Sequence, residues 1–160
     1  MIVHIDIGDV ASIQAAADQL HAYAASLDAK AKEICERLAA IGATRASLDY
    51  ARVPLHGFRD VSISVEETDK GYKILASGES VLFLEFGAGK RMGYGHPDPG
   101  DFGPGTFPGK GHWDDPHGWW IPKEHGGGHT YGNPPAMGMY NASREIRDMI
   151  QQVAEEVLKS

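Results

Sequence analysis

The sequence predicts an α+β protein: a long N-terminal helix and a C-terminal helix packed on a small antiparallel β-sheet, with a long Gly/His/Trp-rich loop. Three observations carry this. A heptad-like apolar row runs through residues 13 to 41, three short alternating apolar segments lie between residues 61 and 86, and an amphipathic stripe closes the chain.

The chain has 160 residues, 42% apolar and 23% charged, which suits one domain (1–160) with a core that needs neither disulfides nor metal. A formal charge of −7 argues against a general phosphate-binding surface, because affinity for nucleic acid rests largely on Lys and Arg. The single cysteine, Cys35, falls in a helical pattern and is expected as a small core residue. The N-terminal residues MIVHIDIGD lack a basic region followed by a long apolar run, and no stretch is apolar enough to span a bilayer, so synthesis in the cytoplasm is expected.

In order, Ile2 to Ile7 is a β-prone segment that Gly8 and Asp9 end. Asp9 or Ser12 can then cap a helix that closes at Gly42, a residue suited to the left-handed position after a last turn. Its apolar residues Ile13, Ala17, Leu20, Ala24, Leu27, Ala31, Ile34, Leu38 and Ile41 are spaced by alternating steps of four and three. One row is mostly alanine and the other is Ile or Leu, so a neighbour can approach the alanine side closely. That neighbour is either the chain's own sheet or another subunit.

Val61, Ile63 and Val65 alternate with polar residues, Asp69-Lys70-Gly71 turns the chain, and Tyr72, Ile74 and Ala76 alternate again. After Ser77 to Ser80, the run Val81 to Phe86 reads as a central strand carrying one carboxylate, Glu85, and ends at Gly87-Ala88-Gly89. Short turns imply an antiparallel meander. A second helix is expected from about Met139 to Leu158, begun by Asn141 or by Pro134-Pro135, with Ala142, Ile146, Met149, Ile150, Val153 and Val157 as its apolar stripe.

Composition changes sharply in between. Residues 87 to 132 hold 14 of 20 glycines, six of nine prolines, all three tryptophans and five of eight histidines. Disordered segments are poor in aromatics, so residues 90–133 read as an extended loop that orders against something, with a short strand at Trp119 to Ile121.

Several chemistries are open to this loop. His112, His117, His125 and His129, with Asp114 and Asp115, are candidate zinc or iron ligands, although neither HExxH nor a helical His pair occurs. The competing role is hydrogen bonding from imidazole to backbone. Glu85 with Asp114 or Asp115 is a conceivable carboxylate pair, against which stands the common pairing of a buried carboxylate with a cation. Gly87-Ala88-Gly89 matches neither a dinucleotide fingerprint nor a P-loop, and Lys90 and Arg91 fit a solvated turn better than a phosphate site. Trp119-Trp120 could stack on sugars or bases, but Trp and Tyr also dominate protein interfaces.

The order of long helix, strands, Phe83-Leu84-Glu85-Phe86-Gly87-Ala88-Gly89, a loop with Gly118-Trp119-Trp120-Ile121-Pro122, and then Pro135-Ala136-Met137-Gly138-Met139-Tyr140-Asn141-Ala142 resembles the tail-completion, or head-tail joining, proteins of the long-tailed bacteriophage neck, a class of minor tail protein. The resemblance covers the chain from about Ile34 onward, and Gly138 stands where that family would carry proline. It implies a structural virion protein without cofactor or enzymatic activity, assembled in the host cytoplasm. It further implies a homo-oligomeric ring of six between head-connector or stopper proteins and tail-terminator or tail-tube proteins, through which DNA passes without specific binding and no membrane is engaged. On this reading the interface residues are Glu85, Phe86, Gly87, Trp113, Trp119, Trp120 and Tyr140. The alternative class is a metal-dependent hydrolase, with cell-wall material as one substrate class and the His/Asp loop as its site.

Overall fold

The computed structural model describes residues 2–53, 60–98 and 115–159, and its architecture is the expected α+β. Helix α1 (Val10–Arg52) is followed by strands β1 (Ser62–Thr68) and β2 (Gly71–Ser77), a short helix α2 (Val81–Phe86), the paired two-residue strands β3 (Trp119–Trp120) and β4 (His129–Thr130), and helix α3 (Gly138–Lys159).

Asp9 caps α1, its side chain accepting from the Ala11 N–H, while the β-prone segment before it, Ile2 to Ile7, forms no strand. Residues 2 to 7 form no ladder, and Ile2 and Ile7 are 80% and 88% exposed. Alternation alone does not make a strand without a partner to satisfy its backbone.

The helix also runs ten residues past Gly42, ending at Arg52. Gly42 is a contact residue rather than a cap: a Cβ there would lie 2.6 Å from Ile146 Cδ1 and 2.7 Å from Ile74 Cδ1. Its missing side chain lets α3 and β2 both approach α1. The stop comes instead before Pro54, where Val53 turns extended (φ −73°, ψ 124°), as proline disfavours helical backbone in its predecessor. Cys35, expected in the core, is exposed.

Strands β1 and β2 form an antiparallel hairpin in the register Ser62↔Ser77 to Thr68↔Gly71, with Val65 opposite Ile74. The expected third strand is α2. A short apolar run does not reveal its period, and here tertiary hydrogen bonding decides. The carbonyls of Phe83, Leu84 and Glu85, in the last turn of this short helix, accept from Asn133 Nδ2, Ala136 N and Met137 N. At the other end Asp60 receives the Glu79 and Ser80 N–H groups and the Ser80 hydroxyl, fixing the turn that starts α2.

α3 lies antiparallel along the C-terminal half of α1, from Gly138 against the Tyr50 ring to Val157, whose carbonyl receives Lys30 Nζ at 3.2 Å. The core gathers Ala46, Tyr50, Leu84, Ala136 and Ala142, flanked by Val53, Val61, Ile63, Ala76 and Met139. Among the described residues no helix is long and apolar enough to cross a membrane.

Candidate functional site

The Glu85 carboxylate, 6% exposed, occupies the junction of α1, α2 and α3. Its Oε2 accepts from the Tyr50 hydroxyl at 2.8 Å and from the Met139 N–H at 3.0 Å. Oε1 accepts from the Tyr140 N–H at 3.0 Å and faces His96 Nε2 at 3.4 Å. Two of these donors are among the first N–H groups of α3, which no intrahelical carbonyl can reach, so Glu85 caps that helix from outside and meets its positive end.

Local sequence could not supply this cap. The residue preceding α3 is Met137, held at φ 56°, a left-handed conformation uncommon for a side chain of this size. Asn141, one of the expected marks of the helix start, lies inside the first turn and donates from Nδ2 to the buried Asp49 carboxylate at 2.8 Å, which Arg45 Nε also meets at 2.7 Å.

The neighbours fix the state of the ring and the phenol. His96 Nδ1 accepts from the Asp98 N–H at 3.1 Å, so the proton of the neutral imidazole sits on Nε2 and points to Glu85. Its ring packs 4.7 Å from Phe86 and 5.3 Å from Tyr140. Burial, followed by the negative charge of Glu85, pushes the Tyr50 hydroxyl far above its ordinary pKa, so Tyr50 remains a donor.

Two further motif residues hold the arm to this junction. Ala88 and Asn133 exchange both backbone hydrogen bonds, at 2.9 and 3.0 Å. Gly87 (φ 80°) is buried between Gly93 and Pro135, and the Trp119 ring lies over Gly89. Hence EFGAG and the PAMGMYNA stretch, 46 residues apart in sequence between Gly89 and Pro135, form one contiguous structure.

The arm's tryptophans separate. Trp119 is 8% exposed and part of the subunit, whereas Trp120 is 74% exposed. Beside Trp120, the His129 ring lies at 5.2 Å and Tyr131 a further 5.0 Å on, with the Arg91 guanidinium 4.7 Å over Tyr131. Exposed rings backed by a guanidinium have the composition of a protein-binding hot spot.

Of the candidate metal ligands, His117 is exposed beside Asp115 (3.2 Å), His125 ends a 3-10 turn over Lys123–His125, and His129 joins the aromatic row. Among the described residues no three His, Cys, Asp or Glu converge as a metal site. Asp115 receives the His117 N–H on an exposed turn, while Glu85 is enclosed by its own four donors. His112, Trp113 and Asp114 lie outside the described residues.

Sequence reasoning singled out Glu85 but missed Tyr50, Asp60 and His96. Tyr50 carried no signal beyond lying past the expected end of α1. Comparison with protein-family models, with curated proteins and with solved structures gives no match.

Proposed function

We propose that the protein is a structural subunit of a tailed-phage neck, a ring component that completes the tail or joins it to the head connector. The observation that carries an assembly role is the way the arm ends. Residues 115–133 are tied back to the subunit through Ala88 and Asn133, with Trp119 folded in and Trp120 held out beside His129, Tyr131 and Arg91. Holding large exposed rings on a fixed hairpin lowers the entropy lost when a partner binds.

The assignment to a phage neck rests on the sequence resemblance, and the geometry adds a reason for the two motifs to occur together. EFGAG supplies the carboxylate and the close-packing glycines, and PAMGMYNA supplies the helix start that this carboxylate caps. A ring interface is heterologous, so the aromatic row of one subunit would meet a different patch on the next.

The test is light scattering of the purified protein, followed by electron microscopy of virions carrying a labelled copy. A closed ring in solution and label at the neck are the expected results. A monomer with stoichiometric zinc and hydrolytic activity would replace this reading with the metal-dependent hydrolase.

A further inference from the structure

Residues 2 to 6 carry a strand pattern and pair with nothing in the described chain. Val3 and Ile5 fall on one face and His4 and Asp6 on the other, as in a half-buried strand. Asp6 gives its N–H to Ser12 Oγ and its carbonyl to the Asp9 N–H, while Val3 and Ile5 make no backbone hydrogen bond with the described residues. In an extended segment the N–H and C=O groups of Val3 and Ile5 point away from those of Asp6, so one whole edge is open.

The β1–β2 sheet has the matching need. Among the described residues β1 pairs with β2 alone, and six of its seven residues are exposed, whereas five of the seven in β2 are half-buried. Val65 lies on the face through which Ile63 and Ala76 pack against the core, yet it is 41% exposed. A two-stranded hairpin is marginal by itself, and its open edge accepts an extended segment as a third strand.

The segment cannot reach the sheet of its own chain. The hairpin tip lies beside Lys32 and Cys35: Lys32 Nζ meets Glu67 at 2.6 Å, and a Cβ on Gly71 would lie 3.9 Å from Cys35 Sγ. From Ser12, where Asp6 is tied, Lys32 is twenty residues on, about 30 Å along the helix. The four residues Ile2 to Ile5 span at most about 14 Å. From its tip β1 runs still farther away, toward the Tyr50 end of α1.

We infer that residues 2 to 6 of one copy add to the open β1 edge of the next copy, running antiparallel to β1 with Ile5 opposite Val65. That register covers Val65 with an isoleucine, sets His4 against Glu66 and sets Asp6 against Ser64. A parallel strand with the same apolar match would oppose Asp6 to Glu66, two carboxylates. Each copy donates at one place and accepts at another, so the contact is heterologous, keeps the two sides of the assembly unlike, and closes by rotation. The one-way closure rests on the ring reading above; the strand pairing does not.

Disulfide trapping tests it in a Cys35→Ser background, because Cys35 is exposed and would cross-link on its own account. On mild oxidation a chain carrying both Ile5→Cys and Val65→Cys should give a ladder of linked chains up to the full ring. The yield should be at least tenfold above that of Ile5→Cys with Ser64→Cys, since position 64 points to the opposite face. A second measurement is independent of register. Ile5→Pro removes an N–H and lies outside α1, so helical circular dichroism should be unchanged while amide exchange in β1 speeds up at least tenfold. Unchanged β1 exchange would remove the strand pairing. A ladder that stops at the dimer would establish reciprocal exchange and overturn the one-way contact, and a disulfide closed within one chain would return the segment to its own sheet. A full ladder in a protein that microscopy does not find at the neck keeps the strand exchange and rejects the phage reading; a ring at the neck with neither ladder nor altered β1 exchange does the reverse.

Discussion

The Glu85 carboxylate caps a helix that begins more than fifty residues later, taking the Tyr140 N–H on Oε1 at 3.0 Å while its other oxygen holds Met139 and Tyr50. Four donors converge on one buried anion. In Glu85→Gln the new amide must turn its NH2 toward donors that have no second acceptor, so the variant should lose about 2–4 kcal/mol of stability. Tyr50→Phe removes one donor and leaves the carboxylate three, and should cost about 1–2 kcal/mol. Urea unfolding of both variants checks the order; a Glu85→Gln protein as stable as the wild type would mean that the carboxylate is not the cap.

Asp60 is a second remote cap, and it titrates. Hydrogen bonding, first from the Ser80 hydroxyl and then from the Ser80 and Glu79 N–H groups, lowers its pKa below the ordinary 3.8. A carboxylate with a depressed folded-state pKa stabilises fully above its unfolded value, and that stability disappears as pH falls through the folded value. Asp60→Ala should therefore be less stable than wild type at neutral pH by about 1 kcal/mol, the usual cost of removing a cap. The gap should narrow as pH falls through the lowered folded-state value, where Asp60 takes up its proton and both proteins carry an uncharged group. A gap that persists in acid would show that the site acts by packing.

Two glycines report on close approach. Gly42→Ala gains about 1 kcal/mol of helix propensity but drives a methyl to within 2.7 Å of Ile146 and Ile74, so overpacking of about 1–3 kcal/mol should leave it less stable. Gly132→Ala has no such compensation: its φ is 101° and the added carbon would fall 1.8 Å from the Ala88 carbonyl oxygen. Breaking the Ala88–Asn133 bridge should loosen the arm and leave α1 and α3 packed. Amide hydrogen exchange should accordingly rise at residues 119–133 with little change in α3; uniform loss of protection would mean that arm and core unfold together.

The helices and the β1–β2 hairpin were legible because their periods are sustained over many residues, and α3 came within a residue of its expected bounds. Val81 to Phe86 was not, since six apolar residues fit either period and the decision lay with Asn133, Ala136 and Met137, far away in sequence. Gly42 misled for a similar reason, because a glycine that ends a helix and one that admits a neighbouring helix look alike until the neighbour is known. At the site, Glu85 was visible as a lone carboxylate in an apolar run. Its donors were hidden, two of them being backbone groups that carry no residue signature.

Trp119 and Trp120 sit side by side in β3 and, as successive strand residues, point to opposite faces, which makes the pair an internal control for the assembly role. Trp119 is enclosed over Gly89, so Trp119→Ala should cost about 3–5 kcal/mol of subunit stability, the range for emptying a buried aromatic site. Trp120 is 74% exposed, and Trp120→Ala should leave the unfolding midpoint unchanged. If the row of Trp120, His129 and Tyr131 anchors a neighbouring subunit, the same substitution should weaken association by about 2 kcal/mol or more, roughly a thirtyfold loss in affinity. Sedimentation across a concentration series separates the two effects: loss of the ring with intact folding supports the anchor. A Trp120→Ala protein that assembles at wild-type concentration would move the subunit interface away from this hairpin, leaving the tied arm with a role in subunit folding alone.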